Sequence, residues 1–338
     1  MYARKSLLSL AVLVAMSGAA MADNSTVNTA QDGSSNILNV DQQGASGSTV
    51  NINQNGGRNN AGSLPGFFSA GTPVSQTATN STLNINQDGF YNSAAAKQAG
   101  NNNTAAISQT GGGSPLGQVA TLDQSGSYST ATIGQDGNSR TSASITQGGG
   151  SNNTASTSQS GNSTIIGASI TQSGSYNLAG VSQQNNNNTV TGGVAQAGNG
   201  NTGSVSQQYN HNLVTANLQQ TGNNNLGSIQ QTGTSYSSAS AKQRGDFNTA
   251  SLYQNGSTLS ADVQQRGNNN YASSNQTGSL NEETLLQNGN NNRAVVSQSG
   301  NGGFLAANVV GLTQTGNNMT ANVTQTGGSG NVAAIYQH

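Results

Sequence analysis

Residues 81–98 read STLNINQDGFYNSAAAKQ, and this stretch decides the fold. Ser81, Leu83, Ile85 and Gln87 stand two apart, as do Asn92, Ala94, Ala96 and Gln98, with Gly89 between the two sets. A period of two puts alternate residues on one face of a β-strand. Each half is thus a strand whose inner face carries one polar residue, two small or apolar residues and a glutamine. The intervening Thr82, Asn84 and Asn86 face water. Gly89 supplies the positive φ of a tight turn.

The same unit returns along the chain. Glutamine recurs at 31, 42, 54, 76, 87, 98 and 109, and on to 314, 325 and 337, mostly 11 to 13 residues apart. The double step from Gln54 to Gln76 predicts one degenerate unit at Pro65, giving about 27 units. The inner row is read as Gln42, Gln87, Gln98, Gln109, Gln135, Gln254, Gln265, Gln298 and Gln337, with Asn36, Asn92, Asn103, Asn248 and Asn331 opening their units. Turn glycines fall at Gly33, Gly89, Gly100, Gly137 and Gly256, and Asn185 takes the same place where glycine is absent.

One such strand cannot bury its inner face. Two joined by a turn can close on each other, and stacking successive pairs gives an all-β, two-sheet β-solenoid with about 23 residues per coil. At about 4.8 Å per coil the rod is about 60 Å long. The inward amides then stand one above another, and each can donate to one neighbour and accept from the next. A buried amide without partners would cost about 1–3 kcal/mol.

Composition agrees. Of 338 residues only 31% are hydrophobic and 4% aromatic, too thin a core for two ordinary globular domains. With only 6% of residues charged, the chain also lacks the charge of typical disorder and falls in the polar class prone to β-assembly. There are no cysteines, so disulfides and thiolate metal sites are excluded.

Arg4 and Lys5, the apolar run from Leu7 to Ala15 and the small residues Ala20-Met21-Ala22 predict a signal peptide over 1–22, followed by one repeat domain over 23–338. Its removal leaves 9 − 2 = 7 basic against 10 acidic residues, about −3, which does not favour nucleic acid or an anionic membrane. No later segment is long and apolar enough for stable membrane insertion.

The unit Ser-x-φ-x-φ-x-Gln-x-Gly-x-x-Asn-x-Ala-x-φ-x-Gln, where φ is apolar, resembles the curlin repeat of curli-type functional amyloid subunits; Ser81 to Gln98 follows it almost position for position. The resemblance covers nearly all of the mature chain. It implies a secreted structural subunit, exported through the periplasm and an outer-membrane secretion pore, started by a nucleator subunit, and polymerised with itself into extracellular fibres for biofilm matrix and surface adhesion. It implies no enzyme activity and no cofactor.

The residues give no catalytic, cofactor or metal constellation of their own: His211 and His338 lie in unrelated units, and the acidic residues are scattered. Asp32, Asp88 and Asp136 sit between the ladder glutamine and the turn glycine. They are read as solvated turn charges or as gatekeepers that slow premature stacking. Arg244 and Arg266 share that offset. Glu283 stands where other units carry a small apolar residue, which predicts a protonated, distorted or opened coil. The rival function is a monomeric secreted solenoid that binds ice or a cell surface. The residues just before the ladder glutamines, such as Asp41, Lys97, Tyr253 and Leu286, are too mixed for a regular ice-binding row.

Overall fold

The computed structural model describes residues 24–62, 73–112, 117–137, 140–302 and 306–338. The expected signal peptide and Pro65 lie outside them. Among the described residues the fold is all-β, with 26 strands paired in parallel. It winds as a solenoid of about 12 turns.

The winding follows from the register. Thr82–Phe90 pairs in register with Thr49–Gly57 on one side and Thr104–Gly111 on the other, so Gln54, Gln87 and Gln109 stack. Ser93–Gln98, half a coil further on, pairs with Val119–Gln124. Strands from alternate units therefore build two walls. The walls are not separate sheets: Thr249–Arg266 and Tyr271–Asn288, each 18 residues, run unbroken round the turn and join them into one wound sheet.

The step from Gln54 to Gln76 differs from the expectation of an extra unit. Asn60–Ala61 and Val74–Gln76 together fill one strand's place, for Ala61 pairs with Ala94 and Gln76 with Gln98. The described strand Asn60–Ala61 ends just before Gly62, whose φ is 70°, and the wall resumes at Val74. An insertion is tolerated there because the inward row resumes in phase, Val40 against Val74.

Between the walls lies a single layer of small and large apolar side chains. Thr104–Gly111 alternates exposed and buried along its length, and Leu83, Ile85, Ile107, Leu122, Ile133 and Ile145 are fully buried. Each contributes about 1.5–3 kcal/mol by leaving water. The other inward position is usually alanine or glycine, which lets the walls close. Leu218 shows the fit: a Cβ on Gly227 would lie 2.5 Å from its Cδ1, and one on Gly203 3.0 Å from its Cδ2. A second, smaller cluster of Ile166, Val190 and Val214 fills a wider turn in the middle of the rod.

Candidate functional site: the amide ladders

Two unbroken columns of glutamine run the length of the rod, one in each wall. In the first, Nε2 of each residue donates to Oε1 of the next through Gln31, Gln54, Gln87, Gln109, Gln135, Gln159, Gln183, Gln207, Gln231, Gln254, Gln276, Gln298 and Gln325, at 2.6–3.1 Å. In the second the donors run from Gln42 through Gln76, Gln98 and Gln124 to Gln265, Gln287, Gln314 and Gln337, at 2.7–3.0 Å. The second N–H of each ladder amide after Gln31 crosses to a main-chain carbonyl of the facing wall, as from Gln87 to Asn60 at 3.1 Å, Gln109 to Ser93 at 3.0 Å and Gln265 to Thr249 at 2.9 Å. One side chain thus ties coil to coil and wall to wall, and the buried amides are satisfied.

The ladders have a direction. Every donor points toward the C-terminal coil and every acceptor toward the N-terminal one. Gln31 and Gln42 turn Oε1 to the first end. At the last, Gln325 and Gln337 use one N–H on the carbonyls of Val309 and Thr320, at 3.0 and 3.1 Å.

The asparagines fix the turns. The side-chain oxygen of Asn36 accepts the main-chain N–H of Asn59, and that of Asn225 accepts the N–H of Asn248, both at 3.0 Å. Asn248 Nδ2 donates to the carbonyl of Gly267 at 2.8 Å. Asn92 and Asn103 close their own turns onto the carbonyls of Asp88 and Ala99, at 3.2 and 2.7 Å, and Asn331 takes hold of Gly327 at 2.9 Å. Gly33, Gly89, Gly100, Gly137 and Gly256 all have positive φ, from 62° to 138°. A Cβ on Gly89 would stand 1.9 Å from the carbonyl oxygen of Gly111 in the next coil, while one on Gly137 would meet nothing within 4 Å.

Asp32, Asp88 and Asp136 are exposed at the edge of the first wall, in one row, with Asn55 and Thr110 between them. Like charges are therefore two coils apart, about 10 Å, close to the screening length in 0.1 M salt. Arg244 and Arg266 are instead direct neighbours. His211 and His338 sit in different coils, and no group of histidine and carboxylate side chains is placed to hold a metal among the described residues.

Glu283 faces inward, between Ala261 and Val310, and is buried. Its Oε2 accepts the hydroxyl of Ser274 from the facing wall, and Oε1 has no partner. Burial pushes the carboxyl up to about 7, the Ser274 hydrogen bond acting weakly the other way.

A further ladder was not read from the sequence. On the turn leading into the first wall, the main-chain N–H of one coil donates to the side-chain oxygen of the next through Ser175, Asn199, Asn223, Asp246, Asn268, Asn290 and Asn317, at 2.7–3.0 Å. Its signal was present as the residue directly after each turn glycine. In a chain this rich in asparagine the recurrence is hard to tell from composition.

No curated protein matches the chain significantly. Two stretches match the family model of the curlin associated repeat, residues 78–111 and 237–265. The first carries Gln87, Gln98 and Gln109, and the second Gln243, Gln254 and Gln265, so both contain the ladder geometry described above. Over these two stretches the chain is similar to the curlin associated repeat.

Proposed function

We propose that the chain is the structural subunit of a secreted, curli-like amyloid fibre that forms outside the bacterial cell and serves biofilm matrix and surface adhesion. The observation that carries this reading is the pair of directional glutamine ladders. The first described coil presents side-chain acceptors and the last presents donors, in the same two columns. A second copy placed on either end continues both ladders without changing the fold, and the edge strands Thr26–Ser34 and Val332–Gln337 gain a partner each. The fibre is then the monomer repeated head to tail.

In this reading residues 1–22 are removed on export, an outer-membrane pore passes the chain, and a nucleator subunit offers the first template. Growth needs no cofactor, and the chain acts as a scaffold rather than an enzyme. The spaced Asp32, Asp88 and Asp136 keep charge along the first wall's edge and slow stacking out of phase. The test is incubation of the mature chain, followed by fibre diffraction and dye binding. Fibres with a meridional spacing of about 4.8 Å support the reading. A chain that stays monomeric for weeks at high concentration refutes it.

The soluble-solenoid alternative has one observation in its favour, an outward row on the first wall in which Thr49, Thr82, Thr104, Thr130 and Thr154 follow one another. Leu178, Leu226, Tyr271 and Arg293 interrupt that row further on, where a flat lattice-matching surface would need it to continue.

A further inference from the structure

The two walls are alike inside and different outside. The outward rows of the second wall carry Asp41, Lys97, Asp123, Lys242, Asp262 and Glu282. Among the described residues those of the first wall carry one charge, Arg293. Its guanidinium is held over the Tyr271 ring at 5.3 Å and donates to Asn322 at 3.1 Å. The rest of that face is mainly threonine, serine, asparagine and glycine, interrupted by uncharged residues such as Leu178, Leu226, Gln230, Tyr253 and Val295, with the acidic row of Asp32, Asp88 and Asp136 along its rim.

Several polar side chains of this face are also already paired along the rod. Asn28 donates to Asn51 and Asn51 to Asn84, at 2.9 and 2.8 Å; Asn53 donates to Asn86 at 3.1 Å, and Ser204 to Ser228 at 3.2 Å. A surface whose amides and hydroxyls hold one another loses less when water leaves it than one whose groups rely on water. Two leucines, Leu178 and Leu226, stand on it about half exposed, two coils apart.

We infer that the outer face of the first wall is the surface by which a second copy of this chain packs side by side. An identical wall has the same repeat, so each row can meet a row along the whole length. The absence of charge at the centre and its presence at the rim follow the anatomy of protein interfaces. The area suffices: a face about 60 Å long and about 20 Å wide covers about 1,200 Å² on each copy, against about 800 Å² per partner in a standard stable interface. The six charges of the second wall leave that side in water, so association stops at pairs.

This contact belongs to the single solenoid and does not depend on growth at the ends, so the fibre reading can fail without it. The test compares the wild-type chain with two triple variants: Ser156→Lys, Ser204→Lys and Ser228→Lys on the first wall, and Ser144→Lys, Ser169→Lys and Ser240→Lys on the second. Freshly purified chain is sedimented, and any fibres are measured for width by electron microscopy. Wild type and the second-wall variant should run at twice the monomer mass and give paired filaments, and the first-wall variant should run as a monomer and give single ones. Far-UV circular dichroism checks that each variant folds, and Ser204→Lys alone, read the same way, decides if the triple variant does not.

A monomeric wild type with single filaments overturns the proposal. So does equal loss of pairing in both variants, or unchanged pairing in the first-wall variant. Loss of binding to insoluble β-glucan by the first-wall variant alone, with pairing intact, would assign the face to a polysaccharide instead.

Discussion

Glu283 is the residue at which the interior departs from its own rule. Its carboxyl is pushed up to about 7 in the folded chain, against 4.5 without burial. Between those values the folded state holds a proton that the unfolded state has released. Stability contributed there is complete below about pH 4.5, falls as pH rises, and is gone above about pH 7, a change on the order of 3 kcal/mol. Amide exchange in residues 271–288 should therefore speed up, relative to the coils on either side, as pH rises from 5 to 8. Glu283→Gln should abolish that dependence and Glu282→Gln, on the outer face, should keep it. The odd placement of Glu283 was legible from spacing alone. Its partner Ser274 was not, because which inward residues meet across the walls depends on how the turns set the coil. Ladder glutamines are the opposite case, residues that obey the rule and whose removal breaks it. Gln254→Leu removes the donors to Gln276 and Ser238, at 2.8 and 2.9 Å, and leaves the incoming N–H of Gln231 without its acceptor. A loss of about 2–4 kcal/mol is expected in denaturant unfolding, while Ser251→Ala, facing water on the same strand, should change stability by less than about 0.5 kcal/mol.

At the scale of the strand, the inner face is written in volume as well as in polarity. Gly227 has an ordinary strand conformation, so its lack of a side chain is not a matter of backbone freedom. It makes room for Leu218 of the facing wall. Gly227→Val should cost about 1–3 kcal/mol by overpacking, and Leu218→Ala in the same chain should recover part of that loss, as thermal unfolding of the single and double variants would show. The alternation of exposed and buried residues, the turn glycines and the inward amides are all consequences of a period of two and could be read from one unit. The insertion after Gly62 could not, for the eleven extra residues between Gln54 and Gln76 equal one unit in length, and only the pairing of Ala61 and Gln76 with one and the same strand shows that no strand's place is added. The bulge at His211 and Val214, and the turn-side ladder through Asn199 and Asn223, escaped for a similar reason. They shift residues between strand and turn without altering the spacing of glutamines.

The whole molecule is a stack with a direction, and its ends inherit that direction. Outward residues send their main-chain N–H groups to the following coil, as from Asn39 to Ala61 at 2.9 Å and from Val309 to Asn331 at 2.8 Å. Ala334 occupies the corresponding position in the last coil, opposite Gly311, so its N–H is available to an incoming copy. Ala334→Pro removes that donor without touching the bonds to the coil beneath. Such a chain should add to a growing fibre and then halt it, so substoichiometric amounts should arrest wild-type elongation if growth proceeds at the C-terminal end. The most direct test of head-to-tail continuation is solid-state NMR on fibres grown from a mixture of ¹⁵N-labelled and ¹³C-labelled chains, in which every nitrogen–carbon contact is between copies. Continuous ladders require the side-chain nitrogen of Gln325 to lie against the side-chain carbonyl of Gln31, and that of Gln337 against Gln42. Contacts of Gln31 with Gln31, or of Gln325 with Gln325, would mean that copies meet head to head, and the directional ladder would not be what builds the fibre.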